Sequence, residues 1–379
     1  MSTVASSRAA PQLVSLQALR FLAAGMVVYV HALATYADKV ASIGGTLTPA
    51  ALGEFGVKLF FCISGYIIYL SSGQLRAGAA SAIDFMQRRL TRIVPLYWAA
   101  TLLYAAKLAA QGEAPALGDI IRSLLFLPYA DANGLMRPVL GVGWSLNYEM
   151  MFYLLFAGTL LLRPARRPLI LAAALALLLL FRHAFPPDDT AGAVHVGIYL
   201  LGDHYLLYFL AGLAIAWLQN DGRLYAYLPR FAPRNTTLAL PGLIALYCVP
   251  VMLTDMPRMV LESLMALICI ACLLLCTLER PRADASATPV VHLLKLGGDA
   301  SYCIYLTHGF VMGPCARLID LLAQPPGPLA FALAMLLLCS ATGILFYCLF
   351  EKPLLRKVAA WLRPLSVQPQ LKPTLPYGK

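Results

Sequence analysis

Two ionisable side chains lie inside the first long apolar stretch of the sequence, LQALRFLAAGMVVYVHAL. Arg20 and His31 are separated by ten residues, and eleven helical steps of about 100° return almost to the same face after a rise of roughly 16 Å. The spacing predicts that one groove contacts both residues. Because imidazole takes up and returns a proton near neutral pH, His31 is the candidate general base. The alternative, which the residue taken alone favours, is a structural histidine bonded to a backbone carbonyl.

A carboxylate is predicted at about the depth of His31 on another span. Glu149 lies in GWSLNYEMMFY. A carboxylate that accepts a hydrogen bond from a histidine fixes its tautomer and stabilises the imidazolium formed during proton transfer. Glu149 is therefore predicted to orient His31 as the second catalytic residue. The alternative is a helix-packing carboxylate held by Tyr148, Tyr153 or Asn147.

Three arginines lie close together before a Pro-aromatic segment in FMQRRLTRIVPLYW. Arg88, Arg89 and Arg92 each offer a fixed fork of donors, which suits phosphate groups. The alternative is the ordinary excess of positive charge in cytoplasmic loops. Coenzyme A contains such phosphate groups and is found in the cytoplasm, so these arginines are candidates for acyl-CoA binding.

Other polar side chains are candidates for lining the same cavity. Tyr305 and His308, in DASYCIYLTHGF, are three residues apart and share a helix face. Trp144 is either an interface residue or a platform for a sugar ring. Ser64, beside Gly65, indicates close helix packing or ligand passage. A nucleophilic serine is the weaker interpretation, because the GxSxG motif is missing. Tyr153 completes the set of cavity candidates.

The elements that must position these residues are membrane helices. Hydrophobic residues make up 60% of the 379 residues and charged residues 12%, with a mean hydropathy of +0.73, and a span needs roughly 20 apolar residues. We predict an all-α polytopic membrane protein with about ten transmembrane helices in one bundle. The predicted spans are 15–36, 55–72, 93–111, 142–162, 168–183, 203–219, 237–254, 259–278, 299–323 and 328–350. The short span 168–183 and the segment 115–130, which is either interfacial or re-entrant, leave this count open.

Charge distribution predicts the orientation. Most of the 29 Lys and Arg residues fall on one side of the predicted spans, which places both termini in the cytoplasm. The predicted domains are a cytoplasmic tail 1–14, a membrane domain 15–353 and a cytoplasmic tail 354–379 that is partly disordered. The protein is thus expected to be multi-pass in the cell inner membrane.

The same observations argue against several functions. The net charge of +11 is spread over short loops, which does not favour nucleic-acid binding. All nine cysteines fall in apolar spans and are expected to behave as small core residues, so no metal site is predicted. A proton-coupled transporter or flippase remains the alternative function, since intramembrane Arg, His and Glu also line transport pathways.

The ordered motifs resemble the membrane acyltransferase-3 family. The segments that carry the resemblance are RFLAAGMVVYVH, LFFCISGY, RRLTRIVPLYW, WSLNYEMMFY, SYCIYLTH and FEKP, spread from residue 16 to 353. The opening blocks look most similar to exopolysaccharide O-acetyltransferases. The resemblance implies about ten helices. It also implies transfer of an acyl group, expected to be acetyl, from acyl-CoA to a hydroxyl of a polysaccharide or its lipid-linked precursor.

The resemblance also implies roles for individual residues. His31 would be the catalytic residue, Arg20 would support the donor path, and Arg88, Arg89 and Arg92 would bind the coenzyme's phosphates. No bound cofactor is expected, because acetyl-CoA is a co-substrate. Many members append an SGNH-type esterase domain; here the acyl group is expected to pass directly to the acceptor or to a partner. The oligomeric state stays open.

Overall fold

The chain folds into a helical bundle. A computed structural model describes residues 13–39, 50–130, 136–187, 192–253, 256–279, 288–319 and 326–362. Its α-helices are α1 Val14–Lys39, α2 Ala50–Ser72, α3 Ala79–Ala110, α4 Leu117–Leu124, α5 Trp144–Thr159, α6 Arg167–Ala184, α7 Ala193–Leu201, α8 Tyr205–Asn220, α9 Arg223–Tyr227, α10 Pro233–Leu253, α11 Arg258–Thr277, α12 Pro289–Asp299, α13 Ser301–Ile319, α14 Pro328–Phe346 and α15 Lys352–Leu362. The described residues contain isolated bridges but no strand, which confirms the all-α prediction.

Several of these helices can cross a membrane. Within the described ranges, six segments are long and apolar enough: Val14–Lys39, Ala50–Ser72, Ala79–Ala110, Pro164–Ala184, Arg258–Thr277 and Pro328–Val358. Helices α7 and α8 make a seventh if their 50° bend is a break within one span. Each of the ten predicted spans overlaps a helix of the described residues, but α5, α10 and α13 are shorter or less apolar. The count of ten and the side of the termini stay predictions.

The two uncertain segments differ in structure. The short predicted span 168–183 falls within Pro164–Ala184, which is long enough to cross. The segment 115–130 contains only α4, whose eight residues are too few to span a bilayer. Leu117 and Ile121 of α4 are exposed, as an interfacial helix requires.

Helix α1 is central in the bundle. It contacts α2, α10, α11, α12, α13 and α14. Small side chains, including Ala18, Ala23, Ala24 and Ala32, are buried along it, and small residues let neighbouring membrane helices approach closely. The helix that carries Arg20 and His31 is therefore held by protein contacts on several sides.

Helices α2 and α8 meet through glycine. A Cβ atom built on Gly65 would lie 2.0 Å from the Phe209 carbonyl oxygen, and one built on Gly212 would lie 1.8 Å from the Cys62 carbonyl oxygen. No other side chain fits at these backbone separations. The expected close helix approach at Gly65 is confirmed, and it fixes the position of the neighbouring Ser64.

A buried arginine fastens the end of the bundle near Arg88, Arg89 and Arg92, called here the arginine end. The Arg167 guanidinium donates hydrogen bonds to the carbonyl oxygens of Gly73 (2.7 Å), Leu160 (3.4 Å) and Leu162 (2.9 Å). Carbonyls at helix ends lack intrahelical partners. Arg167 thereby joins the ends of α2 and α5 to the start of α6.

The chain leaves the bundle through a π-helical turn, Tyr347–Glu351. Such turns are rare in proteins, and those that occur are often found at functional sites. Glu351 is buried and accepts a hydrogen bond from Cys303 Sγ at 2.7 Å. All nine cysteines are free, and most are buried. The predicted tail 354–379 begins as helix α15; residues 363–379 and 1–12 lie outside the described residues.

Candidate active site

A cavity of about 100 Å³ lies between α1, α2, α3, α5 and α13. Its polar lining combines three cations, one carboxylate and several hydroxyls: Arg20, Ser64, Arg89, Arg92, Ser145, Glu149, Tyr153, Ser301, Tyr302 and Tyr305. The structure therefore brings seven of the predicted site residues together from five helices. Arg88, Trp144, His31 and His308 are not among the lining residues.

Two of the cavity's arginines are held by specific contacts. The Arg20 guanidinium donates to the Gln17 side-chain oxygen at 3.3 Å, and Gln17 in turn donates to Asp299 at 3.1 Å. Arg89 donates to Ser71 at 3.2 Å and stacks over the Tyr153 ring, 5.8 Å from its centre. Its Nε atom is buried and has no hydrogen-bond partner. Arg89 thus keeps one donor unsatisfied in the cavity wall.

Arg88 lies apart from this group. It is exposed and forms an ion pair with Asp84, one turn earlier on α3. Residues Arg88 and Arg92 are one turn apart, but only Arg92 lines the cavity. The predicted cluster of three arginines is therefore divided between the cavity, which has Arg89 and Arg92, and the surface.

Glu149 is fixed by two hydroxyl groups. Ser64 donates to its Oε1 at 2.9 Å and Tyr153 donates to the same oxygen at 2.5 Å. Its charge is also close enough to Arg20 and Arg89 to interact with both. Glu149 balances part of the positive charge at the cavity and holds Ser64 in place.

Tyr305 lines the cavity and lies next to His308. Its hydroxyl lies 2.8 Å from Ser145 Oγ and donates to the Val142 carbonyl oxygen at 2.9 Å. The Tyr305 ring centre is 6.2 Å from that of His308. Tyr305 thus separates the arginine-lined cavity from a pair of histidines beyond it.

His31 and His308 form that pair. Their ring planes are nearly parallel, 15° apart, with centres 4.9 Å apart, and His31 Nδ1 lies 3.0 Å from His308 Nε2. His308 is buried, whereas His31 is exposed. An accessible imidazole is therefore backed by a buried one.

The hydrogen bonds determine the tautomers of the neutral pair. His308 Nδ1 lies 2.6 Å from the Tyr305 carbonyl oxygen, and because a carbonyl only accepts, this nitrogen carries the hydrogen. His308 Nε2 is then the acceptor, so His31 Nδ1 must donate to it. The lone pair of His31 is left on Nε2, which is the arrangement a general base requires.

This arrangement differs from the expected one in two respects. Glu149 was expected to hold His31, but the structure pairs His31 with His308, and no hydrogen bond joins Glu149 to His31 in the described part of the chain. One groove was expected to reach both Arg20 and His31, whereas the cavity is lined by Arg20 and not by His31. The spacing along α1 gives the face of each residue but not the side chain that stands between them.

Trp144 contributes to an aromatic group rather than to the cavity wall. Its ring lies 5.2 Å from Tyr205 and 6.0 Å from Tyr148. Trp144 is half-buried, so part of it stays accessible. Ser145 and Ser301 were not predicted as site residues, although both line the cavity. No sequence signal distinguishes them from other serines in apolar helices.

A second charged cluster was also not predicted as a site. Among the described residues, Glu54, His204 and Glu262 have ligand atoms within 4.8 Å of one another, a spacing that can hold a metal ion. The Lys58 ammonium already lies 2.9 Å from Glu54 and 2.5 Å from Glu262. A metal ion would have to compete with this buried cation.

The match to known proteins covers the same elements. The family model for an acyltransferase domain, acyltransferase-3, matches residues 13–348, which include every cavity helix and both histidines. The chain belongs to the acyltransferase-3 family. It is a multi-pass membrane protein of that family.

Two curated proteins are similar to it. The exopolysaccharide production protein ExoZ of Rhizobium meliloti (strain 1021) is 33% identical over 320 residues, which are 81% of this chain and 90% of that protein. The peptidoglycan O-acetyltransferase OatA of Listeria monocytogenes serovar 1/2a is 25% identical over 282 residues, 68% of this chain and 44% of that protein. No solved structure matches the chain.

Proposed function

We propose that this protein is an integral membrane O-acyltransferase that moves an acetyl group from cytoplasmic acetyl-CoA to a hydroxyl of an exported polysaccharide or its lipid-linked precursor. The observation that carries the proposal is the His31–His308 pair, which leaves a basic nitrogen on His31 beside a cavity lined by arginines. The similarity to ExoZ and OatA supports a carbohydrate acceptor.

The arginine-lined cavity receives the donor. Arg20, Arg89 and Arg92 attract the phosphates of acyl-CoA, and arginine binds phosphate through several donors at once. The unsatisfied Arg89 Nε and Ser301 Oγ supply hydrogen-bonding positions for the amides of the pantetheine arm. Arg88 acts at the surface, where it adds to the attraction of the anionic coenzyme.

The donor's thioester must pass Tyr305 to reach the histidines. In the proposed reaction the Tyr305 side chain moves aside and the thioester carbonyl comes next to His31 Nε2. The acceptor hydroxyl gives its proton to His31 Nε2, and its oxygen bonds to the carbonyl carbon. The carbon–sulfur bond then breaks, and the coenzyme thiolate takes the proton back from His31.

His308 supports the charged form of His31. When His31 becomes an imidazolium, its Nδ1–H still donates to His308 Nε2, and a hydrogen bond from a charged donor is stronger than a neutral one. His308 is a positioning residue that does for His31 what Glu149 was expected to do. Glu149 is assigned to the donor side, where it keeps Ser64 and the cavity arginines in place.

In the proposed function the protein lies in the inner membrane, with the arginine end towards the cytoplasm. Acetyl-CoA is made in the cytoplasm, and the excess of Lys and Arg on one side of the spans agrees with that orientation. The acceptor then approaches His31 from the opposite end of the bundle.

The test is release of free coenzyme A by the purified protein with acetyl-CoA and a polysaccharide or a lipid-linked oligosaccharide. Release should require both the acceptor and His31. His31→Ala is compared with His183→Ala, which removes an exposed histidine at the end of α6. Full activity of folded His31→Ala would overturn the mechanism, and no release from folded wild type with several donors and acceptors would overturn the function.

A further inference from the structure

A second cavity, of about 400 Å³, lies between α8 and α11. The cavity lies near the start of α2. Glu262, at its rim, contacts the Lys58 ammonium, which also contacts Glu54, and both Lys58 and Glu54 belong to α2. None of the residues that line it also lines the arginine-lined cavity. This cavity is therefore separate from the arginine-lined one.

The floor of the second cavity is apolar and elongated. It is formed by Leu207 and Ala211 on α8 and by Ala266 and Ile270 on α11. Residues four apart lie on one helix face, so each pair covers about one turn. With Arg258 and Glu262 the lining follows one face of α11 for about three turns. The short side chains of Ala211 and Ala266 leave room between the helices, and Leu207 is exposed at the surface. A hydrocarbon chain fits such a groove.

The rim of the groove is polar and carries mixed charge. Arg258, Glu262, Ser263 and His204 lie there, and Arg258 and Ser263 are exposed. His204 Nε2 is buried, has no hydrogen-bond partner and lies 3.7 Å from Glu262 and 3.8 Å from Glu54. A neutral head with many hydroxyls can use this mixture of donors and acceptors, whereas a phosphate alone would be repelled by Glu262. Arg258 provides the cation that a linking phosphate needs.

The rim is held rigidly by Lys58. This side chain is 0% exposed, and its ammonium contacts both Glu54 and Glu262. An intramembrane charge is costly unless it is paired, and such residues are usually functional. Lys58 ties α2 to α11 and fixes the direction of the Glu262 carboxylate at the rim.

The rim is connected to the proposed reaction site. The Tyr205 hydroxyl donates to Glu54 at 3.2 Å, and the Tyr205 ring packs on Trp144, the residue before Ser145. Gly53, next to Glu54, lies against Val30, the residue before His31. The rim is thus at the level of His31 along the bundle.

We propose that this groove binds the acceptor as a sugar carried on a membrane lipid, with the lipid chain along Ala211 and Ala266 and the sugar at the rim. The inference rests on the proposed function, and it narrows the acceptor from any polysaccharide to a lipid-linked one.

The test is photolabelling of the full-length protein in detergent with a polyprenyl-phosphate-linked monosaccharide that carries a diazirine in its prenyl chain. Labelled peptides should come from α8 or α11, and excess unlabelled lipid-linked sugar should remove the label. Ala266→Leu fills the groove and should lower labelling about tenfold. Ala211→Leu repeats the test from the other helix. Ala334→Leu, on an exposed face of α14, should leave labelling unchanged.

Labelling that both groove variants leave unchanged would overturn the inference, and so would equal competition by an ordinary phospholipid, which would mean that bulk lipid fills the groove. The experiment needs no acyl donor, so it is independent of coenzyme A release. Specific labelling of a protein that releases no coenzyme A would refute the proposed function alone. An active enzyme without specific labelling would refute this inference alone.

Discussion

Replacing His308 by leucine tests the tautomer argument directly. The change removes the acceptor of the His31 Nδ1 hydrogen, and among the described residues that hydrogen bond is the side-chain hydrogen bond that holds the His31 ring. A hydrogen bond to a charged group is worth about 1.5–3 kcal/mol. Each 1.36 kcal/mol of barrier is a factor of ten in rate, so His308→Leu should lower kcat roughly 10- to 150-fold.

The assay is steady-state release of coenzyme A at saturating acceptor, with kcat and KM for acetyl-CoA determined separately. His308 is outside the arginine-lined cavity, so KM for acetyl-CoA should change little. His308→Gln keeps an oxygen that can accept the His31 Nδ1 hydrogen, and it should retain more activity than His308→Leu. Size-exclusion chromatography and thermal unfolding establish that each variant is folded.

Two results would refute the reasoning. A kcat of folded His308→Leu within about twofold of wild type would mean that His31 needs no acceptor on Nδ1. An equal loss in the glutamine and leucine variants would assign His308 to packing, because the hydrogen-bond acceptor would then make no difference.

Three further predictions concern the cavity and the bundle. Arg89→Gln should raise KM for acetyl-CoA about tenfold in the same kinetic assay, while Arg88→Gln should change it less than about twofold; equal effects would contradict the division of the cluster. Gly65→Ala forces α2 from α8 and should cost about 1–3 kcal/mol, seen as a lower thermal unfolding midpoint, whereas Gly158→Ala meets no neighbour and should not. Arg167→Met leaves buried carbonyls without donors and should lower the midpoint through a loss of about 1–3 kcal/mol per carbonyl; an unchanged midpoint would show that water replaces the guanidinium.

The local features of the site could be predicted from sequence because they depend on one helix at a time. Arg20 and His31 lie on a single unbroken helix, and the cavity lining includes Ser64, Tyr153 and Tyr305, all of which were candidates on residue type and position. Intramembrane polar residues are few, so they are found readily in an apolar sequence.

The pairing between helices could not be predicted in the same way. Glu149 and His308 were both expected near the cavity. Residue depth does not give the direction in which a side chain points, so it could not show that His308, rather than Glu149, pairs with His31. His31 and His308 are 277 residues apart, and only the packing of α1 against α13 brings them together. The Glu54–Lys58 pair is visible in sequence as an i,i+4 spacing, but its third member, Glu262, comes from α11.

Arg20 and His31 share one continuous helix, so α1 fixes the distance between them. Helix geometry sets their separation along the axis at roughly 16 Å, and the backbone cannot shorten or stretch it without breaking hydrogen bonds. In the proposed reaction, a donor anchored by its phosphates near Arg20 therefore needs its thioester on an arm of matching length. Short thioesters without such an arm are expected to be poor donors, even when their acyl group is the correct one.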